Sequence, residues 1–265
     1  MQADTRSVLF PTGANDAPWI GIEPPRVPAG RRIYAIGDIH GRLDLMESLL
    51  DLIAADVEKT AEIHPVIVFL GDYIDRGPKA RGVVERLIEG PPHTGPLAGA
   101  EWVALRGNHE DYLLRFLDNA RVGPSWLCNG GMETVRSYTG PLTPETETDM
   151  AALQLALIWA LPPAHLRFLS RLNVAHREGD YLFVHAGLRP GVALADQDPH
   201  DLMWIRHAFL AATEPFGAMV VHGHSISETP TIRANRIGID TGAYCNGRLT
   251  ALVLDGAERR FLTAE

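Results

Sequence analysis

Three polar residues, Asp38, Asp72 and Asn108, stand 34 and 36 residues apart, and each closes a similar pattern. A run of β-branched and apolar residues leads in, a glycine precedes the polar residue, and helical spacing follows. RRIYAIGD at 31–38, HPVIVFLGD at 64–72 and EWVALRGN at 101–108 read as strands. RLDLMESLLDLIAADVEK at 42–59, ARGVVERLIEG at 80–90 and EDYLLRFLDNA at 110–120 carry apolar residues at helical intervals. Such a rhythm is a run of βαβ crossovers, which requires parallel strands with helices packed on them. The polar clusters then fall at the carboxyl ends of strands, where open α/β sheets bind ligands.

The second half is richer in strands. NVAHREGDYLFVHAG reads as a hairpin turning at Glu178-Gly179-Asp180, and AMVVHGH, TIRANRIGIDTG and RLTALVLDG read as further strands. HDLMWIRHAFLAAT at 200–213 reads as one helix. Residues 126–171 read as a helical insert that caps or flanks the site. Within it, AALQLALIWALPPA is too short to span a bilayer and is broken by prolines, so a buried helix is expected. Residues 1–30 hold five prolines and three glycines without periodicity, which predicts an extended arm. The remainder, 31–265, is expected to form a single domain, because clusters from both halves must meet.

A net charge of −9 argues against a protein that coats nucleic acid, but not against binding one phosphoryl group. Cys128 and Cys245 are the two cysteines, with no CxxC, so reduced thiols and a cytoplasmic location are expected. The N-terminal segment lacks a basic stretch followed by an apolar one, so no signal peptide is read there. No membrane or nucleic-acid partner is expected, and a monomer is.

The chemistry is carried by GDIHG at 37–41, GDYIDRG at 71–77, LRGNHE at 105–110, FVHAG at 183–187 and VVHGHS at 220–225. Asp38 and His40, two apart at a strand end, would face the same way and share a metal. Asp72 could bridge two metals through its two oxygens. Asn108 offers a neutral carbonyl oxygen, and His185 and His224 would complete a second ion. This hard-to-borderline donor set, with no thiolate, suits Mn, Fe or Zn, and Mn²⁺ is the first expectation. Two divalent cations against two aspartates leave the site positive enough to attract a phosphate dianion. Arg76 carries a guanidinium fork suited to two phosphate oxygens.

In this order the motifs resemble the phosphoprotein phosphatase family, bacterial serine/threonine type, of the calcineurin-like metallophosphoesterase superfamily. The resemblance covers roughly residues 33–255. It implies an α/β/β/α sandwich with two mixed central sheets. It places one metal on Asp38, His40 and Asp72 and the other on Asp72, Asn108, His185 and His224. His222 competes for the last position, and the family's Gly-His pattern selects His224. The resemblance also makes His109 the general acid, oriented by Asp75, and implies direct attack by a dimetal-bound hydroxide. Arg206 joins Arg76 and Asn108 as a phosphate-binding candidate, although Met203-Trp204-Ile205 departs slightly from the Leu-Trp pattern. Arg106 is open between packing and an ion pair. Tyr244-Cys245 resembles a rim pair of eukaryotic members, but Asn246 replaces a glycine there and a core position is expected instead. Dephosphorylation of phosphoserine or phosphothreonine in proteins is the leading reading. Hydrolysis of dinucleoside polyphosphates, such as diadenosine tetraphosphate, or of other small phosphoesters is the alternative. A catalytically silent scaffold is disfavoured because every expected position is filled.

Overall fold

The computed structural model describes residues 23–60 and 63–265. Among them ten strands form two five-stranded sheets. In chain order they are β1 (Arg31–Ile36), β2 (His64–Phe69), β3 (Glu101–Ala104), β4 (Ala175–Glu178), β5 (Tyr181–Val184), β6 (Met219–His222), β7 (Thr231–Ile232), β8 (Arg236–Gly238), β9 (Leu249–Asp255) and β10 (Glu258–Ala264). The first sheet has the order β10-β9-β1-β2-β3 and the second β4-β5-β6-β8-β7. β1, β2 and β3 are parallel, as the crossover rhythm predicts. β9 and β10 extend that sheet antiparallel, and β10 has no counterpart in the sequence reading. In the second sheet β5, β6 and β8 run parallel, with β4 and β7 antiparallel at the edges.

Alternation along each strand divides the core into layers. Ile33 and Ala35 of β1, with Val66 and Val68 of β2, pack against Phe183, Val221 and Ile237 of the second sheet. Tyr34, Ile36, Ile67 and Phe69, the intervening residues, face the helices Leu43–Glu58 and Ala80–Glu89. Leu182, Val184 and Val220 of the second sheet face the other way, onto Leu202, Met203 and Phe209. The result is the expected α/β/β/α sandwich. It aims the carboxyl ends of the parallel strands of both sheets at one edge.

Several local expectations need correction. β3 stops at Ala104, and Asn108 opens the helix Asn108–Asp118 rather than ending a strand. β1 stops at Ile36, so Asp38 and His40 sit on a loop, where His40 has a left-handed φ of 47° and strand alternation does not apply. The helix expected over 200–213 is two, Pro199–Trp204 and His207–Ala211, broken where Arg206 takes φ −129° and ψ −95°. The helix Met150–Ala160 buries only Leu153 and Leu157, while Trp159 is 87% exposed. Its all-round apolar sequence conceals that one face alone is packed. Among the described residues no single helix is long and apolar enough to cross a membrane.

Residues 1–22 of the expected arm lie outside the described residues. The rest of the arm ties down two hairpin turns at the end of the sheets away from the polar loops. Val27 donates its N–H to Gly256, and Arg26 exchanges backbone bonds with Asp180, its N–H going to the carboxylate and its carbonyl receiving the Asp180 N–H.

Candidate metal centre

Five non-glycine residues among those described have a left-handed φ: His40, Asp72, Asp75, Arg76 and His224, between 47° and 69°. All five lie on the loops at this sheet edge. Such backbone costs about 1–2 kcal/mol per residue, so its concentration here marks a site that the surrounding packing holds in place. Two glycines make room for the acidic groups. A Cβ on Gly107 would lie 2.1 Å from Asp72 Oδ1, and one on Gly223 would lie 2.0 Å from Asp38 Oδ1.

Asp72 is the hub. His40, Asp72 and His109 bring one ligand atom each within 4.8 Å of one another, and Asp72, His185 and His224 do the same. Its Oδ2 lies 3.5 Å from His40 Nε2, and its Oδ1 lies 3.4 Å from His185 Nε2. Two of the imidazoles are oriented from behind. His185 Nδ1 donates to the Leu70 carbonyl at 3.0 Å, and His40 Nδ1 donates to that of Ile74 at 2.8 Å. Each ring thereby turns Nε2 inward, the arrangement by which backbone carbonyls fix metal-binding histidines. Asn108 Oδ1 at 2.9 Å and His224 Nδ1 at 3.2 Å converge on that Nε2 of His185.

The first of these groups does not include Asp38. Asp38 is buried but in neither group, its carboxylate receiving the His224 N–H at 3.1 and 3.0 Å. His109 is the third member of the group with His40 and Asp72, although its Nδ1 is engaged by Asp75. Its Nδ1 is 2.6 Å from Asp75 Oδ2. His222 lies outside both groups, against Phe209, with Nδ1 near the Gly223 carbonyl.

Arg76 points into the site, with Nη1 3.1 Å from His40 Nε2 and its guanidinium 4.6 Å from the centre of the Tyr244 ring. Tyr244 is therefore a rim residue, 37% exposed and edge-on to His40, not the core residue expected. Arg206 is exposed, and its charge contributes to holding the His224 pKa down. Among the described residues Arg106 neither pairs with an acid nor reaches the site. It donates to the carbonyls of Leu169 and Ser170, at the end of the helix Pro163–Ser170, where a cation is favoured.

Sequence reasoning left three supporting residues outside the site. Glu110 is buried and accepts the N–H groups of Asp72, Tyr73 and Gly107 at 2.8–2.9 Å. Trp126 Nε1 donates to Asp75 Oδ2 at 2.8 Å. Thr134 Oγ1 donates to Asp75 Oδ1 at 2.5 Å and accepts the Asp75 N–H at 2.8 Å. The helical insert thus holds the residue that orients His109. Only Glu110 left a trace in the sequence, three residues after Gly107 at a helix start. Glu110→Ala strands three backbone donors and is expected to cost about 3 kcal/mol, read as a lower urea midpoint.

Electrostatics suit a cation. Burial pushes His40 down to about 3 and His224 to about 2, so both stay neutral electron-pair donors. Burial also opposes charge on His185, but Asp72 and Asp38 raise it to about 9. Burial works against an ionised Asp72, yet His185 and His109 hold it well below the usual carboxylate range. His224 Nε2 is buried with no hydrogen-bond partner among the described residues. A negative pocket that retains a proton on one imidazole is a pocket that a divalent ion can enter by displacing that proton. The donor set of carboxylate, imidazole and amide oxygen fits such ions.

A family model described as calcineurin-like phosphoesterase matches residues 31–247. The asymmetrical bis(5'-nucleosyl)-tetraphosphatase PrpE of Halalkalibacterium halodurans is 29% identical over 82% of this chain and 87% of its own. That of Anoxybacillus flavithermus is 28% identical over 82% and 88%. A solved structure described provisionally as a diadenosine tetraphosphatase superposes with a TM-score of 0.60 at 20% identity, covering 92% of this chain and 99% of that one. A metallophosphoesterase from Sphaerobacter thermophilus reaches 0.50 at 19%, covering 90% and 89%. These two superpositions show a shared fold.

Proposed function

Because the chain belongs to the calcineurin-like phosphoesterase family, it is a metal-dependent phosphoester hydrolase, and we propose that its substrates are dinucleoside polyphosphates, cleaved asymmetrically. One observation carries this choice. The two relatives described above, which align along most of both chains, are named asymmetrical bis(5'-nucleosyl)-tetraphosphatases. That favours the alternative of the sequence reading over protein dephosphorylation. The motifs that had suggested a protein phosphatase, GDYIDRG and GNHE, supply the metal and proton chemistry. Both substrate classes need that chemistry, so these motifs discriminate poorly between them.

In this reading Asp38, His40 and Asp72 hold one divalent ion, and Asp72, Asn108, His185 and His224 hold the other, with Mn²⁺ the first choice. When bound, the pair supplies an activated water and neutralises charge on the phosphoryl oxygens. The protein's own groups do the rest. Arg76, braced on Tyr244, offers its fork to phosphate oxygens at the mouth. Arg206 adds a second positive charge there, and Asn108 is placed to contact the phosphoryl group as well as an ion. Together they make the mouth locally positive in a protein of net charge −9. His109 is buried, and burial alone would discharge it. Asp72 and the Asp75 hydrogen bond outweigh that and raise its pKa above the ordinary value. With Nδ1 committed to Asp75, its Nε2 proton is free to pass to the departing oxygen.

Turnover of diadenosine tetraphosphate and of a phosphothreonine peptide, with Mn²⁺ added, tests the proposal. The expected result is a kcat/KM at least ten times higher for the dinucleotide, with a nucleoside monophosphate and a triphosphate as products. Preference for the peptide overturns the substrate class. Two diphosphate products overturn the asymmetry.

A further inference from the structure

A cavity of about 310 Å³ opens between the helices Asn108–Asp118 and Pro199–Trp204. Its lining includes Tyr112, Arg115, Arg121, His200 and Trp204. Both helices lead directly to the centre. Tyr112 lies one turn after His109, with ring centroids 6.5 Å apart, and Trp204 stands two residues before Arg206.

The aromatic wall is fixed in advance. The Trp204 ring meets Tyr112 edge-on at 4.7 Å and stacks on His200 at 5.7 Å with an interplanar angle of 10°. Its Nε1 donates to Asp111 Oδ2 at 3.1 Å. Asp111 in turn lies 3.6 Å from Arg115. Arg121 is exposed, and among the described residues no hydrogen bond, ion pair or ring contact engages its guanidinium. A rigid aromatic wall beside two arginines suits a planar heterocycle carried on a phosphate chain. Flat bases stack on such rings whatever their sequence identity, and arginines bind phosphate oxygens.

We propose that this cavity is the nucleoside subsite of the enzyme. Tyr112, His200 and Trp204 receive the base next to the phosphorus under attack, and Arg115 and Arg121 contact the polyphosphate chain. The proposal rests on the dinucleoside polyphosphate reading of the metal centre, but it can fail separately. Placing a base here would also select which phosphorus reaches His109, and so would fix the asymmetry of cleavage.

The test uses p-nitrophenyl phosphate hydrolysis by the Mn²⁺-loaded enzyme, with adenosine 5'-monophosphate and ribose 5-phosphate as competing inhibitors. The sugar phosphate carries an anomeric hydroxyl where the nucleotide carries its base. The wild-type enzyme is expected to bind the nucleotide at least ten times more tightly than the sugar phosphate. Trp204→Leu and Tyr112→Leu are each expected to shrink that gap to about threefold or less, as loss of one stacking partner requires. Two variants are used so that a folding defect in one, seen by circular dichroism, leaves the other to decide. No gap in the wild type, or a gap that survives in a folded variant, overturns the subsite. If the gap behaves as expected while diadenosine tetraphosphate is not hydrolysed, the subsite stands and the substrate proposal falls. If diadenosine tetraphosphate is cleaved without any gap, the reverse holds.

Discussion

Asp72→Asn is expected to lower turnover by about three orders of magnitude and to leave fewer than two divalent ions per chain, since a metal's charge stabilisation is worth several kcal/mol and each 1.4 kcal/mol is tenfold. The residue is common to both candidate ligand groups. One oxygen faces His40 at 3.5 Å and the other faces His185 at 3.4 Å. An amide keeps one oxygen, loses the charge, and turns an N–H₂ toward one of the two groups. Misfolding is a poor rival explanation, because asparagine tolerates the left-handed φ of 52° as readily as aspartate does. Metal analysis, steady-state rates and a thermal melt on the same preparation check the claim. A variant that keeps two ions and its rate removes Asp72 from the hub.

His109→Asn should act differently. Metal content is expected to stay at the wild-type level while turnover falls by about 10²–10⁴, the worth of a positioned general acid. The loss should be greater for phenyl phosphate than for p-nitrophenyl phosphate, whose leaving group needs less help from a proton. The geometry makes this a sharp test. His109 lies within ligand distance of His40 and Asp72, yet its Nδ1 is held by Asp75 at 2.6 Å, and Trp126 and Thr134 fix Asp75 in turn. Release of metal from the variant would make His109 a ligand. An equal loss on both esters would remove the proton-transfer role.

Much of this site could be read from residue order because its chemistry is local. Asp72, Asn108, His185 and His224 each follow a strand closely, and parallel strands bring their carboxyl ends together. What escaped depends on contacts distant in sequence. Trp126 and Thr134 reach Asp75 from 51 and 59 residues away, and no short pattern announces it. Tyr244 was expected in the core because a residue next to a changed motif carries no sign of where its helix emerges. β10 gives no strand signal because ERRFLTA is charged at one end and half-exposed along its length, as an edge strand can be. Substrate class is not legible in the motifs, because GDYIDRG and GNHE supply chemistry that both substrate classes need. The subsite proposed for the base is lined by Tyr112 and Trp204, which lie outside every motif that identifies the metal chemistry.

The most direct measurement is an anomalous-scattering crystal structure of the Mn²⁺-loaded protein, with the bound metal quantified in solution. The account predicts two Mn²⁺ ions per chain, about 3.5–4 Å apart. The Asp72 carboxylate should lie between them, Asn108, His185 and His224 should coordinate one, and His109 should coordinate neither. Fully active protein holding no transition ion, or ions bound away from Asp72, would contradict it.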